Sequence, residues 1–417
     1  MTQSSFLEPQ AGALKNWEPS RVAAEARLKD FLPRAGVAYA KRRNFDLGAH
    51  EHANVSALSP WLRHRSILEE DVLRATLQVH NVNSAEKFIQ EVFWRGYFKG
   101  WLEHRPEVWR RYKQNVVKHV DQLETDAGLA RRYETAIGAK TGIDCFDRWA
   151  IELVETGYLH NHARMWFASI WIYTLELPWE LGADFFYRHL LDGDPASNTC
   201  SWRWICGLHT TGKTYLARAA NIEQFTQGRF NPEGQLVSYA PALSEDPLPD
   251  LIAPNFKSPD LKGTRYGLLM TDEDIAIDTL GLSEPPTVMM ALGSGTPRSV
   301  LPLSPAVERF VPALIKDGAN YAADFYNMQC SVIYEDDWNK ALLDWSEEHS
   351  LNCIVTPRVM IGPIRTRLSR ASIGLSTPLL EIARPYDIVV SQHAKRGFYG
   401  LKKKIPNILD ALAIPIA

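Results

Sequence analysis

The chain has 417 residues, 45% of them hydrophobic and 23% charged, with a formal net charge of −3. Ordinary globular composition at this length allows two or three domains and excludes a disordered chain, a fibrous repeat and a collagen-like one. The near-neutral balance argues against wrapping duplex DNA by bulk charge and leaves room only for a local basic patch. Five cysteines without a CxxC pair support neither a zinc site nor a disulfide framework. The opening Met1-Thr2-Gln3-Ser4 lacks the basic-then-apolar pattern of a secretory signal. The longest apolar stretch, Met165 to Leu175, falls short of the ~20 residues that span a bilayer. The expectation is a reduced, cytoplasmic, soluble protein with no membrane attachment. Thirteen tryptophans, many between Trp94 and Trp204, are the compositional oddity.

In chain order, residues 17 to about 225 read as successive helices. Pro19-Ser20 precedes Val22, Ala26, Leu28, Phe31 and Leu32 on a helical period. Ser84 precedes a run in which apolar residues recur at i, i+3 and i+4 from Phe88 to Leu102. Asp144 to Gly157 is a further amphipathic helix that ends at Gly157, and Asn161 to Leu175 is another. Prolines at 232, 241, 247, 249, 254 and 259, with acidic residues between them, mark an irregular connection. From Val288 the rhythm changes. Short runs at 288–292, 330–334, 352–356 and 387–391 alternate with helical stretches at 305–317 and 337–348, which predicts βα units and a parallel sheet.

The division that follows is 1–235, a helical catalytic domain; 236–287, an irregular connector; and 288–417, a smaller α/β domain. Gly207-Leu208-His209-Thr210-Thr211-Gly212-Lys213-Thr214 matches the P-loop pattern. That chemistry needs a buried strand before the loop and a helix after it. Cys200 to Cys206 is no such strand, so the expectation is a loop in a helical domain.

Four segments in order resemble the FAD-binding helical domain of the DNA photolyase and cryptochrome family, over roughly residues 17 to 235. They are Tyr39-Ala40-Lys41-Arg42-Arg43-Asn44-Phe45 with Val55-Ser56-Ala57-Leu58-Ser59-Pro60-Trp61-Leu62; Glu91-Val92-Phe93-Trp94-Arg95-Gly96-Tyr97; Thr141-Gly142-Ile143-Asp144 with Thr156 to Met165; and Asp192-Gly193-Asp194-Pro195-Ala196-Ser197-Asn198 with Trp202-Arg203-Trp204. Asn161 and Met165, four apart, share a helix face, and helical domains place cofactor sites between helices. The fold class expected is mainly α: an all-helical photolyase-type FAD-binding domain, then a Rossmann-like α/β domain.

The resemblance implies a site. Tyr39 and the Val55, Ser56, Ala57, Leu58 and Ser59 segment would hold the phosphates of a U-shaped FAD, with Arg95 adding positive charge there. Val55 stands where the family usually has Thr. Asp194 would meet the flavin N–H edge, Asp192 would pair with Arg164, and Asn198 would face flavin N5. Trp202 and Trp179 would be the first two members of an electron-hopping chain. No Trp stands near Ala136 for the third, where Tyr133 is close. A flipped pyrimidine dimer would meet Trp94 and Trp204 as aromatic walls, Glu91 and Asn161 as polar partners and Met165 as an apolar contact. His162 replaces a more common Arg. Arg43, Arg63, Arg65, Arg110, Arg111 and Lys113 would form a positive rim.

The function implied is that of a deoxyribodipyrimidine photo-lyase, a carbon–carbon lyase acting on damaged DNA by electron transfer from excited reduced FAD. It needs no metal. The alternative is a cryptochrome-like blue-light photoreceptor without repair activity. The α/β segment resembles the family's antenna domain moved to the C-terminal side. Either a second, antenna chromophore or a purely structural cap remains open for it.

Overall fold

The computed structural model describes residues 17–256, 258–293 and 298–416, so the Met1–Ser4 reading lies outside the described residues. The N-terminal part is helical: α1 (Arg21–Phe31), α2 (Val37–Arg42), α3 (Ser59–Arg63), α4 (Glu69–Val79), α5 (Val82–Glu103), α6 (Pro106–Thr125), α7 (Ala127–Ile137), α8 (Asp144–Thr156), α9 (Asn161–Ser169), α10 (Trp179–His189), α11 (Trp202–Ile205) and α12 (Ala219–Phe225). Local chemistry sets the ends. Ser20 caps α1 by accepting from Ala23 N–H, and Asn81 caps α5 by accepting from Ser84 N–H. Gly157 ends α8 in the left-handed conformation at φ 67°. The stretch read as one helix from Asn161 to Leu175 is α9 followed by a π-helical turn, Ile170–Thr174.

The C-terminal part is a doubly wound α/β unit. Its strands are β1 (Tyr266–Met270), β2 (Val288–Gly293), β3 (Cys330–Tyr334), β4 (Cys353–Pro357) and β5 (Leu379–Ile382). They pair in parallel in the order β3-β2-β1-β4-β5. Around them lie α13 (Pro305–Tyr326), α14 (Trp338–Glu348), α15 (Pro363–Ala371), α16 (Pro385–His393), α17 (Phe398–Lys402) and α18 (Ile405–Ala411).

Two expectations are corrected here. The span 236–287 is not wholly an irregular connector, because the central strand β1 stands inside it. Its five residues are all buried, as a strand covered on both faces requires, and the prolines before it conceal so short a run. The run at 387–391 is helix, not strand. Pro385 occupies the first turn of α16, where its fixed φ suits a helix, and the fifth strand is the short Leu379–Ile382 before it.

Strand alternation divides the core. Leu268, Met270, Met289, Ala291 and Val355 join one hydrophobic core that continues into the helical part. Leu269, Met290, Leu292 and Ile354 face the other way, onto Trp338, Leu342 and Trp345 of α14 and Ile364 and Leu368 of α15. The α/β unit therefore docks through one sheet face and through α16, which lies along α5. The approach is close because α5 carries glycine there. A Cβ on Gly96 would stand 2.7 Å from Tyr386 Oη, and one on Gly100 would stand 2.9 Å from Ser391 Cα.

Buried ion pairs complete the junction. Arg63 donates to both carboxylate oxygens of Glu273, Arg65 bridges Asp274 and Asp387, and Arg384 forks onto Asp274. On the α5 side, Glu103 accepts from Arg358, Arg365 and the Ile361 N–H. No helix among the described residues is long and apolar enough to cross a membrane.

Candidate functional site

Gly207 to Thr214 forms turns after the short helix α11, with no strand before it and no helix directly after it. It has none of the geometry of a phosphate loop. The chemistry gathers instead where α5, α9 and the turn after α10 meet.

Asp192, Asp194 and Asn198 stand in and around a second π-helical turn, Pro195–Cys200. Such turns are rare and often mark functional sites. Arg164, one turn into α9, donates from Nη1 to Asp192 Oδ2 at 2.9 Å and from Nε to Leu159 O at 2.7 Å. Asp194 caps the turn: its Oδ1 accepts from Ala196 N–H, Ser197 N–H and Ser197 Oγ. Asn198 Nδ2 donates to Asp192 O at 2.6 Å, which orients its amide.

Arg95 of α5 lies 3.4 Å from Glu69 and 3.5 Å from Asp194. Its charge therefore stands beside Asp194. Burial opposes charge on Asp194. Arg95, Lys99 and Arg63, with the Ser197 N–H, outweigh it and hold the carboxyl well below the usual carboxylate range.

Three polar atoms in this cluster are buried without a hydrogen-bond partner: Asp192 Oδ1, Arg95 Nε and Arg95 Nη2. The Arg95 ion contacts are too long to satisfy its N–H groups. Buried polar atoms of this kind call for a partner. A flavin edge, which alternates N–H and C=O groups, supplies both the donor that Asp192 lacks and the acceptors that Arg95 lacks. The residues present fit the cofactor expected from sequence.

The remaining residues fall into two further groups. Tyr39 is buried in α2 with its ring edge-on to Phe31 and Phe88. Val55, Ser56, Ala57 and Leu58 form the loop entering α3, where Ala57 takes φ 50° and Arg27 Nε holds Ser56 O at 2.8 Å. Asn161 is exposed at the start of α9 with Met165 half-buried one turn on, and His162 stacks on Trp166.

Each of the two expected aromatic walls has a ring partner of its own. Trp204 packs against Tyr215, and Trp94 is stacked by Phe398 of α17 at 3.6 Å between centroids and 13° between planes. Glu91 is ion-paired with Arg43. Phe398 escaped the sequence reading because nothing near the C-terminus signals a ring bound for α5. The expected positive rim is also corrected. Arg63 and Arg65 are buried in the domain junction, and Arg110 and Arg111 both pair with Glu107. Trp202 is buried edge-on to Phe186, while Trp179 lies against Tyr112.

A cavity of about 650 Å³ opens where the carboxyl ends of β1, β3 and β4 meet α6 and α10. Open α/β sheets bind ligands at such strand ends. Tyr112 Oη, Tyr187 Oη, Arg298 Nη2, Trp338 Nε1 and Arg367 Nη1 on its wall are buried without partners. Among the described residues, no group of three or more His, Cys, Asp or Glu side chains is arranged to hold a metal ion.

Comparison with known proteins agrees with this reading of the helical part. Residues 88–273 match the family described as the FAD binding domain of DNA photolyase. A deoxyribodipyrimidine photo-lyase of Synechococcus sp. is 31% identical over 45% of this chain and 38% of its own length. One from Thermus thermophilus is 31% identical over 56% of this chain and 54% of its own length. The chain thus spans about half or less of the length of these curated relatives. A solved class III photolyase from Agrobacterium tumefaciens shares 26% identity over 52% of this chain and 44% of its own, at a TM-score of 0.43, too low to carry weight.

Proposed function

We propose that the chain, whose residues 88–273 match the FAD binding domain of DNA photolyase, is a deoxyribodipyrimidine photo-lyase that splits cyclobutane dimers in damaged DNA. The observation that carries the proposal is the Asp192–Arg164–Asp194–Arg95 cluster, with three buried polar atoms waiting for a ring edge. When bound and reduced, FAD supplies the excited electron that opens the dimer and takes it back afterwards. Asp192 and Asp194 orient the ring, and Asn198 sits against its reactive edge. Tyr39 and the segment Val55 to Ser59 seat the diphosphate. Glu91, Asn161 and Met165 receive the flipped bases between Trp94 and Trp204, and Arg43 and His162 stand beside the DNA strand. Work in the cytoplasm suits five free cysteines. The strand-end cavity is the seat for a second chromophore.

One observation favours a blue-light receptor without repair. Phe398 already covers the Trp94 ring, and Arg43 already holds Glu91. The decisive experiment uses the FAD-loaded chain, a thymine-dimer oligonucleotide, reductant and blue light, read by recovery of thymine absorbance. Repair by the wild-type chain is the expected result. Repair that appears only in Phe398→Ala points to a covered active site. No repair in either, with reduced FAD bound, favours the receptor.

A further inference from the structure

Trp171 occupies the path away from Trp202. Both rings close on Gly182 of α10. A Cβ there would stand 2.6 Å from Trp202 Cη2 and 2.8 Å from Trp171 Nε1, so these ring atoms are no farther apart than the sum of those distances. Only glycine lets them meet across the helix. Trp171 lies in the π-helical turn after α9, and its Nε1 donates to Pro178 O at 2.9 Å, which fixes the ring. On its other side the Tyr133 ring stands edge-on at 6.0 Å. Tyr133 Oη accepts from Arg188 Nη2 at 3.3 Å, and the same guanidinium donates from Nε to Asp184 Oδ2 at 2.7 Å. Trp179, the middle member implied by resemblance, has a ring contact with Tyr112.

We propose that electrons reach Trp202 through Trp171 and Tyr133. This rests on the photolyase reading above. On illumination one electron leaves Trp202 for the bound cofactor, and one from Trp171 replaces it. Tyr133 then gives one electron to Trp171 and releases its phenolic proton to solvent. A thiolate in solution returns one electron to Tyr133 and becomes a thiyl radical, and solvent returns the proton. Charge and protons balance, and the net flow is one electron from the thiolate to the cofactor.

The test is blue-light reduction of the FAD-loaded chain with a thiol, followed by transient absorption and electron paramagnetic resonance. FAD content is measured first from the visible spectrum. Trp171→Phe should slow photoreduction at least tenfold, and more than Trp179→Phe does. Tyr133→Phe, which keeps every ring contact, should abolish a tyrosyl radical signal while Trp202 is still oxidised. That second variant decides the matter should Trp171→Phe lose its flavin. Wild-type rates in Trp171→Phe, or a tyrosyl signal that survives in Tyr133→Phe, overturn the relay alone. A wild-type chain that takes up no FAD overturns the photolyase reading, and the relay with it.

Discussion

Glu152 of α8 shows how far burial governs single groups in this protein. One of its carboxylate oxygens is buried without a partner. Desolvation, reinforced by Asp46 and only partly opposed by Arg229 and Arg148, raises its carboxyl to about 8. A carboxyl raised on folding leaves the folded state holding a proton that the unfolded state has released. Stability therefore falls as the pH rises from about 4.5 to about 8 and is level beyond it. Glu152→Gln should remove that slope, by an amount on the order of a few kcal/mol across the window. Urea unfolding midpoints at pH 5 and pH 8 measure it, and equal slopes in the two proteins would refute the assignment. At this scale one ion pair of the candidate site was legible. The Arg164–Asp192 pair stands as the resemblance implied. The Arg95 contacts with Glu69 and Asp194 were not legible, because those partners come from distant segments that no local pattern links to it.

Helix α5 joins the candidate site to the α/β unit. One face carries Glu91, Trp94 and Arg95, and another carries Gly96 and Gly100 against α16. Phe93 stacks on Tyr386 between them at 5.9 Å. The contacts at Gly100 include Ala394 Cβ and Ser391 Cα, neither of which can swing aside as the end of a long side chain can. Gly100→Val should force α16 away and destabilise the chain by about 2–3 kcal/mol, the usual scale of overpacking. A thermal melt reads this directly, and an unchanged melting temperature would show the contact to be slack. The helical periods of α1, α5 and α8 and the glycine stop of α8 announced themselves, since amphipathic spacing and capping are local. Strand β1 did not, because four apolar residues and a glycine behind a proline-rich stretch look the same in a loop, a helix or a buried strand. The run at 387–391 misled for the same reason, its β-branched residues serving in a helix that packs on α5.

The molecule as a whole is held together across its two parts by charge as well as by apolar contact. Asp274, in the acidic turn after β1, is reached by Arg65 from the helical part and Arg384 from the α/β part. Burial opposes its charge, yet Arg384 and Arg65 hold its carboxyl down at about 2. Its contribution to stability is thus present above about 3.9, the ordinary aspartate value, and is lost as the pH falls through about 2. Removing one member of such a network leaves the others buried and unpaired. Asp274→Asn should cost about 3–5 kcal/mol at neutral pH, read by denaturant titration; a loss below about 1 kcal/mol would mean that water reaches the junction.

A helical part followed by alternating βα units could be read from the chain alone, because periodicity and caps are properties of neighbouring residues. Which strand stands at the centre of the sheet, that Phe398 lies on Trp94, and that Trp171 shares Gly182 with Trp202 depended on the folded arrangement. Those contacts join residues far apart in sequence, and long-range packing leaves no periodic trace in the order of amino acids.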